Sequence, residues 1–208
     1  GTRVLPKGDV FITGGLGGLG LTLSSWLLGA GCSHLVLTSR SGRIARDGQG
    51  LQGMLDALLK SGHRVTVLPN DSSESSEVVA MLQGIPDACG LMHMPHVIRD
   101  RPIRTMERDN LPYVFSAKAI GASNIYSAIT TQHFDFAPLF SSSASFGGYG
   151  TAAHSSANSS LNALAQCSRA LGLQRSALVV PVILGVGAGA AIAVAGAANQ
   201  DQVLLAMS

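Results

Sequence analysis

The chain has 208 residues, 46% of them hydrophobic and 12% charged, with a formal net charge of +2. The apolar share supports a buried core and excludes a disordered chain. Charge near neutrality without a basic run, few aromatics and a single Trp exclude a nucleic-acid binder.

Three cysteines, Cys32, Cys89 and Cys167, lie far apart without CxxC spacing. That argues against a disulfide framework and a zinc site, and makes a reducing, cytoplasmic compartment the expectation. The polar opening, Gly1 to Asp9, does not read as a signal peptide, so none is expected.

In chain order, short β-rich runs alternate with helical patterns. Asp9–Thr13 reads as a strand, and Gly17–Gly29 as a helix with Leu19, Leu23, Trp26 and Leu27 on one face. Strand His34–Thr38, helix Leu51–Leu59, strand Arg64–Leu68 and helix Ser75–Leu82 follow. Asp71 to Ser73 offer caps for that last helix. Then come strand Ala88–His93, a helical region from Met106 to Thr130 broken near Pro112, strand Phe134–Ser142, helix Ala152–Ala170 and strand Ala177–Ile183. Nearly continuous apolar strands separated by helices predict an α/β fold. It is a Rossmann-like, doubly wound parallel sheet with helices on both faces. Such sheets bind ligands beyond the carboxyl ends of their strands.

Ala177 to Ala198 carries no charge and is long enough to span a bilayer. It also holds Pro181 and four glycines, and its first half is β-branched. It reads as a buried strand followed by a small-residue loop or helix, with no membrane partner.

The first strand runs into Thr13-Gly14-Gly15-Leu16-Gly17-Gly18-Leu19-Gly20. Gly15, Gly17 and Gly20 satisfy G-x-G-x-x-G; Gly14, Gly18 and Gly20 satisfy T-G-x-x-x-G-x-G. Glycines permit the tight turn and close approach to a pyrophosphate, and the following helix offers its amides. Where an acidic residue would bind the ribose of NAD, the second strand ends in Ser39-Arg40. A guanidinium there suits a 2′-phosphate, so NADPH is the expected cofactor. A solvated loop cation is the plainer reading of Arg40. Asp71, ending the third strand, suits either the adenine amino group or a helix cap.

Gly14 to Arg40 resembles the ketoreductase domains of type I polyketide synthases and animal-type fatty acid synthases, within the short-chain dehydrogenase/reductase superfamily. The resemblance continues through Lys118-Ala119-Ile120-Gly121-Ala122-Ser123-Asn124, Phe140-Ser141-Ser142 and Ala157 to Ala165. It implies hydride transfer from NADPH to the β-ketone of an acyl chain on an acyl carrier protein. It also implies a catalytic set of Lys118, Ser142 and Asn158, with Lys118 also binding the cofactor's ribose. Thr13, Gly14, Gly15, Leu16, Gly18, Leu19, Gly20, Ser39, Arg40 and Asp71 are the expected cofactor contacts.

Where the family has its proton-donating tyrosine, this chain has His154. A neutral imidazole is a very poor acid, and nearby Lys118 disfavours the imidazolium. The interval from Ser142 to His154 is one residue shorter than the family's, so Ser141 and Ser143 compete with Ser142. His96 replaces a glycine beside the cofactor, and His93-x-x-His96 mimics metal spacing without a third ligand. Ile98-Arg99-Asp100 resembles, in its last residue, the L-D-D element of one stereochemical class. The expectation is a single NADPH-binding ketoreductase subdomain over residues 1–208, excised from a multidomain synthase whose neighbouring domains cover its surface. The alternative is a catalytically impaired pseudo-ketoreductase with a structural role.

Overall fold

The computed structural model of the chain describes residues 8–44, 49–131, 134–181 and 183. Six parallel strands form one sheet in the order β3-β2-β1-β4-β5-β6. They are β1 Asp9–Thr13, β2 His34–Ser39, β3 Arg64–Pro69, β4 Ala88–His93, β5 Pro138–Ser142 and β6 Ser176–Val180. Strand order reverses between β1 and β4, and that is where a crevice opens in a doubly wound sheet.

Side chains alternate across each strand, so each central strand feeds two cores. Val10, Ile12, Leu35 and Leu37 pack with Leu21, Leu27 and Leu28 of α1 (Gly18–Gly29) and Leu51, Leu55 and Leu58 of α2 (Leu51–Leu59). Phe11, Val36, Leu91 and Leu139 face the other way. They meet Val78 and Leu82 of α3 (Ser75–Gln83), Ile125 of α5 (Gly121–Ala128) and Leu161 of α6 (Ala152–Ala170). Helices therefore cover both faces.

Several boundaries differ from the sequence reading. On α1 the buried face is Leu21, Ser24, Leu27 and Leu28, while Trp26 is 58% exposed. Ser24 turns inward because its hydroxyl donates to Gly20 O. Pro112 does not break the fourth helix. That helix, α4, spans Asn110–Phe115, and Pro112 lies in its first turn, where no intrahelical N–H bond is lost. The irregularity comes later, as a π turn over Ser116–Ile120 before α5. Strand β5 starts at Pro138, with Phe136 making only an isolated bridge to Gly90. A Cβ at Gly90 would drive into the Phe136 ring. Asp71 caps no helix directly: its carboxylate accepts from Ser73 N and Oγ in a turn before α3, whose N-cap is Glu74. Strand β6 stops at Val180, before Pro181. Most of the uncharged stretch after it lies outside the described residues. No helix among the described residues is long and apolar enough to cross a membrane.

Candidate active site

The glycine turn forms one wall of the crevice. Gly14 has φ +71°, and a Cβ on it would lie 2.6 Å from Met94 O, past the end of β4. A Cβ on Gly20 would lie 2.5 Å from Gly15 O, so α1 packs directly on the turn it follows. The N-cap of α1, Gly17, supplies no side-chain bond, and the first turn holds no acidic residue. The amides of Gly18, Leu19 and Gly20 have no intrahelical partner by helix geometry. They present an uncompensated positive end to an anion. Leu16 is core, so only its backbone faces the turn. Buried polar atoms without a partner gather at this end of the sheet: Thr38 Oγ1, Asn70 Oδ1, Asn110 Nδ2 and His154 Nδ1. Buried polar groups are ordinarily paired, so this edge is built for a polar guest.

Past β2, the exposed Arg40 donates to Tyr113 Oη at 3.3 Å. Arg40, Asp71, Asp109, Pro112, Tyr113 and Ser116 line a cavity of about 360 Å³. Ser39 turns away, its hydroxyl donating to Arg43 O. Thr13 is buried, facing His93 rather than the mouth. A glycine cradle, open amides, a cation and an acceptor on one edge fit a phosphorylated dinucleotide.

The catalytic candidates converge from α6 and the π turn. Lys118, 3% exposed, donates from Nζ to Asn158 Oδ1 at 3.2 Å. Burial pulls its ammonium down to about 8. Asn158 Nδ2 donates in turn to His154 O at 2.7 Å, the i,i+4 relation on α6. His154 is buried, and desolvation, then the Lys118 and His96 charges, lower it to about 4. Its ring meets the His96 ring edge-on at 6.4 Å between centroids. The Val97 backbone is a hydrogen-bond partner of the ring, while Nδ1 has none. Nδ1 is thus the ring nitrogen left without a partner, and the Val97 backbone favours the protonated ring only weakly against burial.

The π turn explains the lysine segment. Gly121 N–H reaches back to Ser116 O, five residues away. A Cβ on Gly121 would lie 2.5 Å from Ser72 Oγ and 3.0 Å from His93 Cε1, so only glycine lets α5 close on β4. Asn124 Nδ2 donates to Ser72 O and Ser73 O, fixing the helix to the turn after β3. His93 is fully buried, and desolvation lowers it to about 4, so it is neutral. Its Nε2 donates to Lys118 O at 3.1 Å, and its Nδ1 accepts from Thr13 Oγ1 at 2.7 Å. Both nitrogens are thereby occupied, which removes His93 as a metal ligand.

Of the predicted set, Lys118, His154 and Asn158 are brought together. Ser142 is not bonded to them: its Oγ accepts from Ala144 N as the cap of a short 3-10 turn. Ser141 instead is buried and donates to Asn158 O at 3.2 Å. Strand alternation puts the two serines on opposite faces. Sequence reasoning missed the His93 link and Tyr113. Histidine ending a buried strand beside a glycine-bearing helix was the available signal for the first; nothing local marked Tyr113.

The KR domain model matches residues 8–184. Over 190 residues the chain is 34% identical to the hybrid PKS-NRPS synthetase pyvA of Aspergillus violaceofuscus, covering 91% of this chain and 5% of the synthetase. It is 34% identical over 179 residues to the phthioceranic/hydroxyphthioceranic acid synthase of Mycobacterium tuberculosis, covering 83% of this chain and 8% of that one. An A-type ketoreductase from a modular polyketide synthase superposes with TM-score 0.81 at 31% identity, covering 89% of this chain and 40% of that one. The chain thus spans a small part of the curated relatives it matches, which are multidomain synthases. Domains of this family are oxidoreductases that bind a nicotinamide cofactor. By glycine turn, lysine segment, sheet order and sequence, the chain belongs to the KR domain family, the ketoreductases of polyketide synthases within the short-chain dehydrogenase/reductase superfamily.

Proposed function

We propose that this chain is the NADPH-binding catalytic subdomain of a cytoplasmic synthase. In this reading it reduces the β-ketone of an acyl chain on an acyl carrier protein, and does so slowly. The observation that carries the reading is the Lys118–Asn158 bond beside a neutral His154. When bound, NADPH supplies the hydride. The amides opening α1 would hold its pyrophosphate, Arg40 its 2′-phosphate, and Asp71 would offer a carboxylate to its adenine amino group. Lys118, kept in place by Asn158, would meet the ribose hydroxyls. Hydride arrival leaves an alkoxide that needs a proton. His154 is a poor source, because burial and the Lys118 charge keep its imidazole neutral at neutral pH, and a neutral imidazole is a very weak acid. The Lys118 ammonium, at about 8, is the more acidic neighbour.

The same histidine favours a second reading, a silent domain that binds NADPH and supports its neighbours. NADPH fluorescence reports binding, and consumption with a β-ketoacyl thioester reports turnover. Slow turnover that rises about 100-fold or more in His154→Tyr supports the first reading, since general acid catalysis is worth that much. Binding without turnover in either protein supports the second. No binding at all overturns both.

A further inference from the structure

Two guanidiniums converge on one phenol at the rim of the crevice. Arg40, past β2, lies 5.5 Å from the Tyr113 ring centroid and donates to its hydroxyl. Arg99, in the segment after β4, stacks on the same ring at 3.8 Å. Both draw the phenol below its ordinary range, the Arg40 hydrogen bond most strongly. The ring face attracts each guanidinium, but the two like charges still repel, so an anion seated between them would be held more strongly than the phenol is. Asp71 and Asp109 line the adjoining cavity. Yet neither arginine forms an ion pair with a carboxylate among the described residues, where the pairs are His34–Asp9 and Arg101–Glu107. A phenol oxygen offers one weak acceptor; a phosphate monoester offers three strong ones to two planar forks.

We propose that Arg99 is a second cation for the adenosine 2′-phosphate, held beside Arg40 by Tyr113 until the phosphate replaces the phenol between them. This rests on the NADPH reading above. Arg40 comes from the strand end and Arg99 from the far side of the switch point. Together they would bracket the phosphate at the nucleotide's adenosine end, from the two sides of the Tyr113 ring they already share. The ligand class is a 2′-phosphorylated adenosine, and the unphosphorylated nucleotide has nothing for Arg99 to hold.

The test is fluorescence titration of wild type and Arg99→Gln with NADPH and with NADH, at two salt concentrations. Arg99 is exposed, and unchanged far-UV circular dichroism checks that the variant folds. Loss of one charge-assisted contact to phosphate at a solvated rim is expected to weaken NADPH about tenfold, with NADH changed less than about twofold. The salt dependence of NADPH binding should also become shallower. Equal weakening of both nucleotides, or of neither, overturns the inference and leaves the NADPH reading standing. Failure of wild type to bind NADPH removes both. Tyr113→Phe gives an independent readout. Without the competing hydroxyl, NADPH should bind at least as tightly as in wild type, and weaker NADPH binding alone counts against the exchange.

Discussion

Lys118 Nζ and Asn158 Oδ1 lie 3.2 Å apart, joining the π turn before α5 to the second turn of α6. Both residues are buried, Asn158 completely. The amide oxygen accepts from an ammonium that burial has already weakened. Asn158→Ala strands that charge. Hydrogen bonds to charged groups are worth roughly 1.5–3 kcal/mol, so urea unfolding at neutral pH should show a loss of about 2 kcal/mol. Asn158→Asp should restore the partner and raise the lysine's apparent pKa. A variant as stable as wild type would show that Lys118 finds another acceptor.

Reduction of a ketone consumes a proton, and Lys118 is the group near the site that holds one at neutral pH. Its folded value of about 8 places the loss of that proton just above neutrality. We expect kcat/KM to fall above about pH 8, approaching tenfold per pH unit, with no acidic limb near 6.5 from His154. In Asn158→Asp the limb should move to higher pH. A flat profile between pH 7 and 10 would remove Lys118 as the proton source.

The sheet was legible because its strands are continuous apolar runs, and Gly14 to Gly20 could be placed on it by spacing alone. What sequence could not supply were relations made by packing. Trp26 shares a helical period with Leu23 and Leu27, yet Ser24 takes the buried place by satisfying its own hydroxyl within the helix. Pro112 looks like a breaker and is a first-turn residue. The π turn has no local signature, and the partner that takes up its Lys118 carbonyl, His93 on β4, is distant in sequence. Ser141 and Ser142 are adjacent and chemically identical, and only the pleat decides which one meets α6.

His93 and His154 give the fold an acid-sensitive pair. Burial holds both near 4 in the folded chain, against an ordinary value of 6.5. Between those values the unfolded chain binds protons that the folded chain refuses. Stability is therefore fully present above about pH 6.5 and falls as pH drops toward 4. Each histidine contributes roughly 3 kcal/mol to that loss as an upper figure. Melting temperature measured from pH 7 to 4 should fall steeply. His93→Gln should flatten the slope while lowering the plateau, since glutamine cannot bridge Thr13 and Lys118 with the same reach. An unchanged slope in that variant would show that His93 titrates normally.

Two glycines test whether the turn is shaped for close approach or is merely permissive. Gly20 lies where a methyl would meet the Gly15 carbonyl at 2.5 Å, backbone against backbone, with no side chain able to yield. Gly20→Ala should cost about 3 kcal/mol and displace α1 from the turn, weakening NADPH together with stability. Gly53, inside α2, has nothing within 4 Å of the same added atom and is exposed. There alanine relieves only the helix penalty, so Gly53→Ala should gain about 1 kcal/mol and raise Tm by about 2–4 °C. Nucleotide affinity should be unchanged in Gly53→Ala, because α2 contributes nothing to the mouth of the crevice. If Gly20→Ala melts like wild type and binds NADPH equally well, the contact between α1 and the glycine turn is looser than these distances allow.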